Sequence, residues 1–115
     1  MLQVLDAILA DESDPTKVSL IFGNQTEQDI LLHSEINDRA KRYPSKFRVQ
    51  YTLDRPPVGW TQSVGFVTKD MIEKHLPKAS DDVVVLLCGP PPMIKFACKP
   101  NLEALGYNMD KVLEF

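Results

Sequence analysis

The most distinctive chemistry in the sequence lies at Cys88, Gly89 and the three prolines Pro90 to Pro92. They follow the apolar run Val83 to Leu87 and precede a stretch of helical character. A thiol that ends a buried strand sits at a sheet edge, and a glycine after it lets a flat ligand approach the backbone. The prolines fix φ and remove three N–H donors, so the turn is stiff and apolar. Such a turn suits a planar ring better than a phosphate, which needs donors. The same residues also fit a buried cysteine packed as a small hydrophobe, and the residues alone leave both readings open. No His or Lys stands near Cys88 in the sequence to stabilise a thiolate, so a nucleophile is not expected.

Asp54 follows the strand-like run Phe47 to Leu53. A carboxylate there accepts hydrogen bonds from ribose hydroxyls and repels a 2′-phosphate, or is a turn aspartate paired with Arg55. Asn24, Gln25 and Thr26 offer amides and a helix cap, which serve either a dinucleotide or only the helix. Phe66, after Gly65, is either an adenine-stacking ring or a core residue. His33 and His75 have no cysteine or carboxylate at metal-ligand spacing, so no metal site is expected. No Ser-His-Asp spacing and no GxGxxG occur.

These residues are positioned by alternating helices and strands. Leu2, Leu5, Ile8 and Leu9 share one helical face, and Asp14-Pro15 closes that segment. "VSLIFGN", Val18 to Asn24, reads as a strand, and Thr26 with Asp29 resembles a capping box opening a helix. Ser34 to Arg42 is helical, with Ile36, Ala40 and Tyr43 on its apolar side. "KFRVQYTL" alternates Phe47, Val49, Tyr51 and Leu53 as a strand, and "DRPPVGW" is a loop. Thr68 opens a short helix that Pro77 stops. A strand Val83 to Cys88 follows, then a helix from about Pro92 to Lys99. Pro100-Asn101 is expected to break that helix, and Leu102 to Leu105 to form another, capped by Gly106. "KVLEF" is a final strand. This alternation implies parallel pairing through right-handed crossovers, so the fold class is α/β, a Rossmann-like doubly wound parallel sheet with helices on both faces. Ligands of such sheets bind beyond the carboxyl ends of the strands, where Asn24-Gln25-Thr26, Asp54-Arg55 and Cys88-Gly89-Pro90 all fall.

The totals narrow the function. A chain of 115 residues, 43% hydrophobic and 25% charged, can bury a core as one domain or part of one. A net charge of −3 with no Lys/Arg stripe argues against nucleic acid. No apolar run is long enough to span a bilayer, and the start lacks the basic region of a signal peptide. Two cysteines without secretory context favour reduced thiols and a cytosol-facing protein.

"CGPPPM" after an apolar strand, with "YTLDRPPVGW", "GFVTKDMIEKHLP", "FGNQTEQDILL" and "KPNLEALGY", closely resembles the NADH-binding domain of the NADH–cytochrome b5 reductases. The likeness runs from Val18 to Phe115, and assimilatory nitrate reductases share the domain and a similar CGPPPM. The resemblance implies hydride transfer from NADH to FAD, then single electrons to cytochrome b5 or a similar haem protein. It places Cys88 beside the nicotinamide and the flavin ring, with Gly89, Pro90, Pro91 and Met93 shaping that pocket. It makes Asp54 the ribose-binding residue that favours NADH over NADPH, and Gln25 and Phe66 adenosine-side contacts. It also implies the cytosolic face of a membrane, at the endoplasmic reticulum or mitochondrial outer membrane.

Residues 1–115 are then an NADH-binding domain, and the FAD-binding barrel, the first and central strand and the glycine-rich pyrophosphate turn are expected to lie outside this chain. On that reading the full-length enzyme is an NADH–cytochrome b5 reductase, whereas this chain alone is inactive and needs an FAD-binding domain as partner. The strands at Val18 and Val83 are then expected to flank the place of the first strand. Two alternatives remain at this stage: the reductase module of an assimilatory nitrate reductase, and a non-catalytic nucleotide-binding interaction module.

Overall fold

In a computed structural model that describes residues 2–114, all three strand pairings are parallel. Helix α1, Leu2–Ala10, buries Leu5 and Leu9. Strand β1, Val18–Asn24, pairs along its whole length with β2, Phe47–Leu53. Helix α2, His33–Arg42, crosses between them and buries Ile36. The side chains of Leu5, Leu9, Ile36, Phe47, Tyr51 and Leu53 form one core, so α1 and α2 cover the same sheet face. The Thr26–Asp29 motif forms only a single 3₁₀ turn, Glu27–Asp29, before Ile30 turns extended and α2 begins. The Asp29 carboxylate accepts from both the backbone N–H and the hydroxyl of Thr26, at 3.1 and 2.8 Å. The side chain of Leu2 and all of Phe115, both placed by the sequence pattern, lie outside the described residues.

A strand that the sequence pattern does not show follows the proline loop. β3, Ser63–Val64, pairs with Thr52 and Leu53. Its two residues are too few for an alternating pattern to be visible. Helix α3, Lys69–His75, is capped by Thr68, whose hydroxyl accepts from the Met71 N–H at 3.2 Å. It buries Met71 and Ile72 and packs on β1.

The remaining strands form a second sheet: β4, Val85–Leu87, pairs with β5, Val112–Glu114. The expected strand Val83 to Cys88 is therefore shorter at both ends. The three-residue ladder ends at Leu87, and Gly89, at φ +152°, with Pro90 turns the chain away. The helix after it does not break at Pro100. It passes from Pro91-Pro92 through a π-helical stretch, Met93–Cys98, into α4, Lys99–Ala104. Pro100 has no N–H and its ring clashes with the preceding turn of a tight α-helix. The wider π turn places it in the first turn of α4, and the Asn101 side chain donates to the Ala97 carbonyl at 2.6 Å. Helix α4 ends at Ala104, and just past it Tyr107 N–H donates to Leu102 O and Gly106 N–H to Glu103 O, a Schellman pairing.

The core of this half gathers Ile72, Leu87, Ile94, Cys98, Leu102 and Tyr107, with Ile21 of β1 packed against it. Ile21 alternates with Leu20 and Phe22, which join the first core, so the two cores lie on opposite faces. Right-handed crossovers on opposite faces travel in opposite directions across a sheet. The order is therefore β3-β2-β1, a reversal, then β4-β5. Among the described residues β1 and β4 do not pair, and the strands form two sheets, β1-β2-β3 and β4-β5. A strand leading into α1 from the same face as α2 would, by the same rule, lie at the edge of β1 away from β2.

Candidate functional site

The nucleotide-site candidates lie at or just after the carboxyl ends of the parallel strands in two groups, Asn24, Gln25, Asp54 and Phe66 at the ends of β1 to β3 and Cys88 to Met93 after β4. The first group is built as a continuation of the β1–β2 ladder. Asp54 N–H donates to Asn24 O at 3.1 Å and Arg55 N–H to Gln25 O at 2.8 Å. Gly65 N–H donates to Leu53 O at 2.9 Å, and its own carbonyl accepts from the Thr52 hydroxyl at 2.7 Å. Gly65 turns there with φ +87°, a conformation that favours glycine, and delivers Phe66 next to the Leu53–Asp54 end. Gln25, Asp54 and Phe66 are thus brought to one edge by backbone hydrogen bonds.

Their side chains answer two of the open questions. Phe66 is 76% exposed, so it is a presented ring and not a core residue. Arg55 reaches Gln25, its Nη2 donating to Oε1 at 3.2 Å, and forms no ion pair with Asp54 among the described residues. The Asp54 carboxylate is therefore not committed to its neighbour. Asn24 adds a feature the sequence did not single out on its own: its Nδ2 is buried with no hydrogen-bond partner. A buried amide donor without an acceptor costs free energy, and this one sits at the end of β1.

The second group is the turn after β4. Cys88 is exposed, which rules out packing as a core thiol. The other cysteine, Cys98, is the buried one, and burial pushes its thiol pKa up. Gly89 does not leave open space on its side-chain face: a Cβ built there would collide with the Met93 methyl. Met93 is held by its N–H donating to Pro90 O at 3.0 Å, and Ile94 N–H donates to the same oxygen at 3.3 Å. The turn is therefore glycine backed by a thioether, a flexible apolar surface. An alternating-pattern reading sees Met93 only as a helix residue, because its contact with Gly89 depends on the turn's conformation.

Among the described residues no cluster of three or more His, Cys, Asp or Glu is arranged to hold a metal ion. His33 instead packs edge-on against Tyr51, with ring centroids 4.8 Å apart. No helix among those residues is long and apolar enough to cross a membrane.

A parallel α/β sheet with exposed ligand-type side chains at its carboxyl edge, on both sides of a reversal in strand order, defines a nucleotide-binding module of the doubly wound class. The family model of the oxidoreductase NAD-binding domain matches residues 1–99, and the chain belongs to that family. It is 61% identical over 107 residues to NADH-cytochrome b5 reductase 2 of Xenopus tropicalis, covering 93% of this chain and 35% of that protein. Among solved structures, the cytochrome b5 reductase domain of Ulva prolifera nitrate reductase superposes with a TM-score of 0.94 at 46% identity. That match covers 98% of this chain and 42% of that one. The CS-b5R domains of human Ncb5or, in the NAD+ form, superpose at 0.86 with 26% identity over 100% of this chain and 32% of that one. The chain therefore spans well under half the length of these relatives.

Proposed function

We propose that this chain is the NADH-binding part of a flavoprotein reductase that delivers electrons to cytochrome b5 or a similar haem protein. The observation that carries the reading is the division of the strand-end edge. Gln25, Asp54 and Phe66 are gathered on one side of the reversal, and Cys88, Gly89 and Met93 on the other. An extended dinucleotide has two chemically different ends, and the edge offers a matching pair of surfaces. Three features of these residues fit such a ligand: the exposed Phe66 ring, the uncommitted Asp54 carboxylate, and the buried Asn24 amide donor without an acceptor.

NADH, when bound, supplies the hydride, and an FAD held mainly by a separate domain supplies the acceptor chemistry. Within this chain Phe66 offers a face for adenine, and Gln25 and Asp54 offer acceptors for the adenosine ribose. The Asp54 carboxylate disfavours a 2′-phosphate by like-charge repulsion. Pro90 and Pro91 remove two N–H donors from the turn, so it presents a largely apolar surface to a planar ring. Cys88 and Met93 supply soft sulfur contacts there, and Cys88 orients the ring without acting as a nucleophile. We place the full-length protein at the cytosolic face of a membrane, because of its resemblance to the b5 reductases.

The TM-score of 0.94 to a nitrate reductase domain favours one second reading, in which the same module serves a nitrate reductase. Both readings share the nucleotide site and differ only in the downstream acceptor. The test is an amide-resolved NMR titration of this chain with NAD+ and with 5′-AMP. NAD+ is expected to perturb both groups, and 5′-AMP only Gln25, Asp54 and Phe66. Perturbation by NAD+ confined elsewhere would overturn the assignment.

A further inference from the structure

A cavity away from the strand-end edge lies between α3 and the β1–β2 pair. It is a partly open pocket of about 70 Å³ lined by Leu20, Arg48, Val49, Gln50, Lys74 and His75, with Arg48 and Lys74 exposed to solvent. Alternation along β2 puts Arg48 and Gln50 on the face opposite Phe47, Tyr51 and Leu53, which meet α1 and α2. Helix α3 packs on β1, and its last turn brings Lys74 and His75 to the same space. Three basic side chains from two elements thus border one small cavity in a chain of net charge −3.

Cations in a last helical turn ordinarily answer the helix's own carbonyls. Arg48 comes from a strand and has no such duty. No carboxylate lines the cavity, and neither Arg48 nor Lys74 forms an ion pair among the described residues. Burial, then the Lys74 charge, holds the His75 imidazole pKa below its ordinary value. Of the elements packed against α3, β1 brings no charged side chain within Val18–Asn24. Helix α4 brings Glu103 and Lys99, and Lys99 is tied to Glu114 at 3.0 Å. Helix α3 itself carries Asp70 and Glu73, but neither lines the cavity or pairs with Lys74 among the described residues, so the three basic groups border it without an ion-pair partner.

We propose that this cavity is a binding site for a small oxyanion of the phosphate class, held by Arg48, Lys74 and His75. The volume takes a group of a few heavy atoms and is far below the roughly 300–1,000 Å³ of sites for larger organic ligands. Arg48 supplies the planar fork of N–H donors that matches a tetrahedral oxyanion, and Lys74 a compact charge. Gln50 is fixed as a wall of the cavity by donating to Ser63 Oγ at 2.9 Å. It stands three residues before the end of β2, roughly 10 Å from the strand-end edge at strand rise. The site is therefore separate from the nucleotide edge and does not depend on that reading.

The test is an NMR titration of this chain with inorganic phosphate at constant ionic strength, followed at backbone amides. Saturable shifts are expected at Arg48, Gln50, Lys74 and His75. Arg48→Gln and Lys74→Gln are each expected to weaken binding by about tenfold or more, as the loss of one charge-assisted contact implies. Methyl phosphate in place of phosphate distinguishes a phosphomonoester from the free ion, and saturable binding of either supports the site. Sulfate stays doubly charged between about pH 5.5 and about pH 7.5, so its affinity reports the protein's own titration. Sulfate is expected to bind more tightly at the lower pH, and His75→Gln to remove that dependence. Shifts spread over all surface lysines, affinities unchanged in both charge variants, or binding only of a Glu-rich peptide would each overturn the proposal.

Discussion

The two halves of the sheet are held by different means. In the first, β1 and β2 share a seven-residue register and Phe47, Tyr51 and Leu53 are almost wholly buried. In the second, β4 and β5 share three residues, and the core comes from helices through Ile72, Ile94 and Leu102. Gln25, Asp54 and Phe66, proposed for the adenosine side, hang on the long ladder by backbone hydrogen bonds, whereas the Cys88 turn follows a short strand with an open edge. Specific recognition of a nucleotide needs fixed acceptors. A ring that must meet a second cofactor needs a surface set by what packs around it. Under the proposed function, affinity and selectivity would rest on the first half and reaction geometry on the second.

The largest effect should come from testing whether the halves are separate stability units. Leu53 is 0% exposed and Leu102 1%, and truncating either to Ala should cost about 2–5 kcal/mol. If the halves open separately, Leu102→Ala will lower hydrogen-exchange protection in β4, Met93–Cys98 and α4, while β1 and β2 amides stay near wild type. Uniform loss of protection would show a single cooperative unit and end the comparison in its present form.

Next in size is Cys88→Ser, in a full-length protein that carries this domain. Hydride transfer should slow on the order of 10²-fold while NADH affinity changes little, because geometry is lost and most binding contacts remain. Equal losses in both would place Cys88 among the binding residues. Asp54→Thr should act the other way round, raising kcat/KM for NADPH relative to NADH by about tenfold or more, since it removes a repulsive charge. An unchanged ratio would move selectivity elsewhere, and Arg55, tied to Gln25, would be the next residue to vary.

The difference between the halves also explains what the sequence revealed. β1 and β2 carry long runs of β-formers, and their ends at Asn24 and Leu53 coincide with the pattern. β4 is shorter than the apolar run Val83 to Cys88 because such a run records burial, whereas strand length is set by the partner, here only Val112–Glu114. At Pro100 the sequence shows the proline's local cost but not the π turn that absorbs it, so the pattern predicts a break where the helix continues. The carboxyl-edge candidates were legible because strand ends in a parallel sheet face one way. The Met93–Gly89 contact and the Arg48–Lys74–His75 cavity were not, since each joins residues through tertiary packing.

The smallest effect is a pH signature that separates the halves. The Arg39 guanidinium, bonded to Asp6 through Nε at 2.5 Å, holds that carboxyl below the ordinary value of 3.8. Hydrogen bonds from Ser13 and Thr16 lower Asp11 and Asp14 in the same direction. All three carboxylates precede β1 and belong to the first half. A carboxyl depressed on folding contributes stability that is present above its unfolded pKa and lost as pH falls through the folded one. Acidification below about pH 4 should therefore destabilise the chain through the first half. In Asp6→Asn the step between neutral pH and about pH 2 should shrink, read as a smaller drop in unfolding midpoint. Cys98 acts at the other end of the scale and in the other half. Burial raises its thiol pKa above 9.0, so its contribution is present below that value and fades as pH climbs through the folded pKa. Cys98→Ala should lessen the alkaline limb without touching the acid one, and Asp6→Asn the reverse. Burial of Tyr107 and, at about pH 12, of Tyr51 in the first half also contributes to that alkaline limb. A single variant that altered both limbs would show that the two halves share their electrostatics and do not titrate apart.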